Sequence, residues 1–227
     1  MAPGKLIVLE GTDGSGKGTQ LTLLIETLKS RNISYATLDF PRYDESFFGE
    51  LAGKMLRGDF GGVNDIPPEL AVLPFACDRW LIKQDVLRWL SEGKVVISNR
   101  YTASSAVYQA SKLPPEKQDA FVSWVYRLEQ EVIGLPHEDL VLYLHIPVAV
   151  AQTLVEKKQS RSYLGDKKRD IYEENGAIQL TVERLYGELA AKNPNWKTIE
   201  CVIGPSLRTP AEIQKDILDV LTQNKVL

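Results

Sequence analysis

The sequence predicts an α/β fold, a five-stranded parallel sheet with helices on both faces. Two observations carry this expectation. Five short β-rich runs are almost continuously apolar, and long helical patterns lie between them. Strands covered on both faces need no polar alternation, and alternating strands and helices build a parallel sheet. Right-handed crossovers then restrict the topology. No repeat, low-complexity segment or linker interrupts the order, so the 227 residues read as a single domain spanning 1–227.

The first run, KLIVLE at 5–10, leads directly into a glycine-rich loop. A helical pattern follows, with Leu21, Leu24, Ile25 and Leu28 on one face. The second run, 34–40, closes on Phe40-Pro41, and the third, 94–99, closes on Asn99. Phe121, Trp124, Val125, Leu128 and Val132 then fall on one helical face before the fourth run, 140–146. The fifth run spans 198–203, and the last pattern places Ile213, Ile217, Leu218 and Leu221 together.

Composition sets the limits. With 44% hydrophobic and 25% charged residues the chain is ordinary for a globular protein, and too apolar for a disordered one. The 30 acids against 27 bases give a net charge of -3, which argues against a general nucleic-acid binder. Cys77 and Cys201 lack metal-ligand spacing and read as two buried free thiols in a reducing compartment. Two histidines cannot supply a His-rich metal site. The first apolar stretch stops at Glu10, too short for a signal peptide, and no run reaches the roughly 18 residues of a membrane helix. The expected location is cytoplasmic, with no membrane partner.

The clearest motif is Gly11-Thr12-Asp13-Gly14-Ser15-Gly16-Lys17-Gly18-Thr19 between the first strand and the first helix. This is the context of a P-loop. Its glycines let successive N–H groups point at one phosphate, and the helix N-terminus adds positive potential. Lys17 would reach the β- and γ-phosphates. Gly18 stands where a Ser or Thr usually faces Mg²⁺, so Thr19 is the substitute candidate. A GTPase is disfavoured, because the one Asn-Lys pair, Asn224-Lys225, has no following Asp. A small kinase fits the length.

Three further clusters fall where ligands bind in parallel sheets or in a long helical segment: DFPRYD from Asp39, FACDRW from Phe75, and NRYTASSAVYQ from Asn99. Each joins an arginine to an aromatic, suited to phosphate forks and base stacking. Taken singly, Phe75 could be core and Asp78-Arg79 a helix-surface pair. Residues 157–170 carry six bases against two acids, either a solvated loop or a mobile basic lid over a polyanion.

From 5 to about 221, these segments with GTDGSGKGTQ and RDIYEE make the chain resemble thymidylate kinase (dTMP kinase), a family of P-loop nucleoside monophosphate kinases. The resemblance implies transfer of the γ-phosphoryl of ATP to dTMP with Mg²⁺, in a homodimer, with a lid at about 156–172. It implies that Lys17 and the loop from Gly11 to Thr19 hold ATP, helped by Lys167. Lys17, Asp13, Arg100, Arg161 and Arg169 would form the catalytic set. For the acceptor it implies Phe75 stacked on thymine, with Phe40 beside it and Arg79 and Ser105 reading the base. Tyr108 would lie under the sugar, with Arg42, Tyr43, Arg100, Tyr172 and Glu173 around the rest and Asp13 near the 3′-hydroxyl. Thr19, Asp13 and Asn99 are the metal candidates. Two departures stand out: the family usually has Asp-Arg where Asn99-Arg100 occurs, and some members carry an arginine at the position of Gly14. Without it, cations from the lid would serve the donor phosphates. The GKGTQ loop leaves a kinase of adenylate kinase-like specificity as an alternative. Gly18 and Asn99 leave a nucleotide-binding homologue impaired in catalysis.

Overall fold

Strand β1 (Lys5–Glu10) divides its apolar side chains between two cores. Leu6 and Val8 enter one, Ile7 and Leu9 the other, and all four are fully buried. A central strand with both faces covered is the reason its apolar run is unbroken. In the computed structural model, which describes residues 3–155, 162–165, 167, 169–204 and 206–227, β1 pairs with β3 (Val95–Asn99) on one side and β4 (Leu140–His145) on the other. Outside these lie β2 (Tyr35–Asp39) and β5 (Trp196–Glu200), so the order is β2-β3-β1-β4-β5, all parallel. The register sets Leu9 and Asp39 level with Asn99 at the carboxyl edge.

Helices α1 (Lys17–Ser30), α7 (Val148–Val155) and α9 (Pro210–Gln223) cover one face, through Leu21, Leu24, Leu28, Ala151, Ile213, Ile217 and Leu221. The start of α9 is fixed by a Thr209–Glu212 capping box with Pro210 in the first turn. The other face carries α4 (Leu73–Ser91), α5 (Thr102–Ala110), α6 (Pro115–Tyr126) and α8 (Gly176–Lys192). Helix α2 (Phe47–Arg57) is capped by the Ser46 side chain and ended by Gly58 at φ 86°; the short α3 (Pro68–Ala71) precedes α4.

Three expectations are corrected. The fifth strand starts at Trp196 and stops at Glu200, while Val202–Ile203 (β6) leaves the sheet to pair antiparallel with Ser206–Leu207 (β7), beside Gly204 at φ 57°. The apolar run therefore spans two elements. Val132 is 74% exposed, although its spacing put it on the buried stripe. Helix α6 passes into a π-helix, Arg127–Val132, whose wider turn shifts the helical phase. Glu129 becomes the fully buried residue of that segment, and Trp124 and Val125 belong to the core. Both cysteines are free thiols, but only Cys201 is buried; Cys77 is half-buried. Among the described residues no helix is long and apolar enough to cross a membrane.

Candidate active site

The chain leaves β1 through a loop that only glycine permits at its first step. A Cβ on Gly11, at φ 150°, would lie 2.7 Å from both the Leu144 carbonyl oxygen and Ser15 Oγ. Gly14 and Gly16 also take positive φ, 86° and 88°, and Gly16 caps α1. Lys17 is buried inside this curl. Its Nζ donates to the carbonyl oxygens of Gly11 and Thr12, both at 2.9 Å. Beside Gly16 and Gly18 an added Cβ would meet nothing within 4 Å, so this side of the loop is open. Thr12 and Ser15 are buried, and Thr19 is exposed.

The open side faces a cavity of about 410 Å³ at the carboxyl edge of the sheet. Asp13, Gly14, Gly16, Lys17, Gly18 and Thr19 form one wall. Arg100 lies across from them at φ 63°, a left-handed conformation rare outside glycine. Its neighbours hold it there. The Arg100 N–H donates to the Leu9 carbonyl at 2.9 Å, Ser98 Oγ donates to the Arg100 carbonyl at 2.6 Å, and the Tyr101 N–H donates to Glu10 Oε1 at 2.9 Å. The Arg100 guanidinium pairs with Asp13, whose second oxygen accepts the Tyr108 hydroxyl at 2.7 Å. Fully buried Glu10 lies beneath, accepting from the Ser104 and Tyr186 hydroxyls, each at 2.7 Å.

At the far end, Phe40, Phe75, Arg79 and Ser105 line the cavity. Arg79 is 2% exposed, which removes the helix-surface reading of Asp78-Arg79. Its Nε donates to Glu129 Oε2 at 2.7 Å and its Nη2 reaches Glu129 Oε1 and Ser105 Oγ, both at 2.5 Å. Thr102 Oγ1 donates to the same carboxylate at 2.8 Å. The π-helix of the fold thus supplies the anion that holds this arginine. Phe75 is half-buried, with its ring at the cavity wall.

Arg42 does not line the cavity. Its backbone N–H, Nε and Nη2 all bind Asp78, whose other bond comes from Ser46 Oγ at 2.5 Å. Tyr43 does line it, stacked on Tyr163 at 4.0 Å between ring centroids. Tyr163, Asp170 and Tyr172 are the described lid-segment residues on the wall. Arg161 lies outside the described residues, as do most bases of the lid. Lys167 donates to the Arg57 carbonyl oxygen at 2.6 Å, away from the cavity, while Arg169 and Glu173 border a small adjoining pocket with Asp13. The segment is tied to the end of α2 by Ile171 N–H to the Leu56 carbonyl at 3.1 Å. Burial, reinforced by the Asp13 and Glu173 charges, pushes the Asp170 carboxyl up to about 7.

No group of three or more His, Cys, Asp or Glu gathers as a metal cage among the described residues. Thr19, Asp13 and Asp39 instead bring oxygens to the cavity lining, with Asn99 beside Asp39. Such a sparse oxygen set fits Mg²⁺, which takes most of its ligands from phosphates and water. Asn99 Oδ1 is buried there without a hydrogen-bond partner. Glu10, Asp39, Glu129, Tyr163 and Asp170 had no role in the sequence reading. Glu129 left no periodic signal, because regular helical spacing puts Leu128 and Val132 on the Phe121 stripe and only the π-turn brings Glu129 inward. Glu10 was legible as a charge ending an otherwise apolar strand.

The family model described as "Thymidylate kinase" matches residues 9–202. Thymidylate kinase from Mycobacterium tuberculosis (strain ATCC 25618 / H37Rv) is 32% identical over 203 residues, covering 88% of this chain and 93% of that protein. The one from Plasmodium falciparum (isolate 3D7) is 31% identical, covering 98% and 92% respectively, and the one from Homo sapiens is 29% identical, covering 87% and 82%. Among solved structures, thymidylate kinase from Candida albicans shares the fold with a TM-score of 0.76 at 22% identity, covering 100% of this chain and 94% of that one.

Proposed function

The chain belongs to the thymidylate kinase family, and on that premise we propose how its cavity transfers the γ-phosphoryl of ATP to dTMP, giving dTDP and ADP. The observation that carries the reading is one continuous cavity with a phosphate-binding loop at one end, Phe75 and Arg79 at the other, and Arg100 between. The donor phosphates lie on the loop amides and Lys17. Thymine stacks on Phe75, Arg79 donates to its carbonyl edge, and Ser105 completes the base contacts. Tyr108 lies under the deoxyribose.

The acceptor is itself a phosphate oxygen, already anionic, so no strong general base is needed. The difficulty is to bring two anions together. Lys17 and Arg100 supply fixed positive charge along the transfer path, and Asp13 and Tyr108 hold the Arg100 fork so that little reorganisation remains at the moment of reaction. Tyr43 and Tyr163 close the wall over the acceptor and exclude water, with Arg161 and Arg169 of the lid serving the donor phosphates. Thr19, Asp13 and Asn99 would hold Mg²⁺, in part through water, and the ion would supply neutralisation of the phosphate charge. The lid is the segment 156–172 of a single domain.

We further place the protein in the cytoplasm, where its nucleotide substrates are and where free thiols persist, and assign it a homodimer. Exposed Phe47, Trp80, Leu81 and Leu87 on α2 and α4 support a self-association face, and light scattering at micromolar concentration tests it. The function is tested with a panel of monophosphates, ATP and Mg²⁺. dTMP is the preferred acceptor, and stronger phosphorylation of AMP or dGMP would remove the base-site assignment.

A further inference from the structure

The resemblance implies an aspartate at position 99, beside Arg100, and this chain has Asn99. A carboxylate nevertheless stands one strand away. Asp39 ends β2 as the register partner of Asn99, and Asn99 Nδ2 donates to Asp39 Oδ1 at 2.8 Å. Both residues line the cavity with Lys17, Gly18 and Thr19. That bond uses the amino end of the Asn99 amide and turns its oxygen away from Asp39, where Oδ1 is buried and unpartnered. A cation entering the cavity beside the loop would therefore meet the Asp39 carboxylate.

Resting on the kinase reading above, we propose that the carboxylate serving the Mg²⁺ of the bound nucleotide is Asp39, with Asn99 holding it in place through its Nδ2 donor. The acid has moved from the end of β3 to the end of β2 on the same carboxyl edge. Mg²⁺ keeps several waters and needs only one or two carboxylates besides the substrate phosphates, so such a relocation preserves the chemistry. Asn99 accordingly positions the carboxylate and is not a charged ligand itself. The departure at residue 99 then carries no loss of metal binding, and the reading of an impaired homologue loses one of its two grounds.

The test uses Mn²⁺ as the probe, with the full chain, the non-hydrolysable β,γ-methylene analogue of ATP and water-proton relaxation as readout. Asp39→Asn is expected to weaken Mn²⁺ in the protein–analogue complex by about tenfold or more, while the metal-free affinity for the analogue stays within about twofold. The exchanged pair Asp39→Asn with Asn99→Asp is expected to return Mn²⁺ affinity to within about threefold of the parent, because the carboxylate is restored across the same register pair. Mn²⁺ affinity unchanged in Asp39→Asn, or an equal loss of metal-free analogue binding, would overturn the proposal. If circular dichroism shows that Asp39→Asn does not fold, Asp39→Ser takes its place and is read against the same two outcomes. Failure of the kinase reading registers separately, as absence of dTDP when the parent protein is given ATP, Mg²⁺ and dTMP.

Discussion

Arg100 concentrates the site's design in one residue. It keeps a left-handed backbone at φ 63°, which costs on the order of 1–2 kcal/mol for a side chain with a Cβ. In return its guanidinium stands between Asp13 and the Tyr108 ring, 5.4 Å from the ring centroid. Arg100→Lys keeps the charge but loses the planar fork. We expect it to lower kcat/KM for dTMP by about 10²-fold or more, with a melting temperature near that of the parent, as steady-state kinetics and calorimetry would show. Lys17→Ala is expected to lower turnover by about 10²–10³-fold without loss of fold; near-parental turnover would remove the role given to this ammonium. Gly18 is a contrasting case. It lies in the first turn of α1, and a Cβ there meets nothing within 4 Å. Gly18→Ala should therefore raise the unfolding free energy by about 0.5–1 kcal/mol, measured in urea, because the unfolded chain loses freedom.

At the scale of the elements, the π-helix Arg127–Val132 matters most. A regular helix continuing from α6 would keep the apolar stripe through Val132; the wider turn instead buries Glu129 against Arg79. Removing one charge of a buried pair leaves the other uncompensated, at about 3–5 kcal/mol. Glu129→Gln is expected to lower stability by an amount of that order in a urea titration and to raise KM for dTMP more than it lowers kcat. A change confined to stability, with KM unmoved, would reduce Glu129 to a structural role. Legibility differed between elements for a physical reason. Strands β1, β3 and β4 were readable within one residue at each end because burial on both faces demands continuous apolar sequence, and β2, an edge strand with Thr37 exposed, was readable from its β-forming residues and the Pro41 that follows. The fifth was not, because Cys201-Val202-Ile203 has the same apolar character in the ribbon as in the sheet. Periodicity likewise cannot report a π-turn, since the change of phase comes from backbone hydrogen bonds and packing.

For the whole molecule, net charge says little, and titration says more. Burial pushes the carboxyls of Glu138 and Asp170 up to about 7 each. An acid whose folded pKa is raised binds more protons folded than unfolded, so its contribution to stability falls as pH rises from about 4 through about 7. His145 acts in the same direction. Burial opposes its charge, yet Glu200 and Glu183 raise its pKa above 6.5, and the stability this confers is lost as pH rises through the folded value. The melting temperature is therefore expected to fall between pH 5.5 and pH 8. Asp170→Asn should flatten that decline, because Asn keeps the acceptor for the Tyr172 and Glu173 N–H groups and never ionises. A parent curve that rises across this range would contradict the assignment.

The sequence by itself determined the parallel sheet, the glycine-rich loop and the residue types that line much of the cavity, because these follow from local rules: continuous apolar runs, glycine spacing before a lysine, and arginines paired with aromatics. Only the tertiary structure decided which of those side chains meet. It turned Arg42 onto Asp78 and Lys167 onto Arg57, placed Asp39 beside Asn99, and set Glu10 and Glu129 beneath the arginines of the cavity. These are contacts between residues 36 to 110 positions apart in the chain. Their energies depend on burial and on the exclusion of water, and neither is written in any short stretch of sequence.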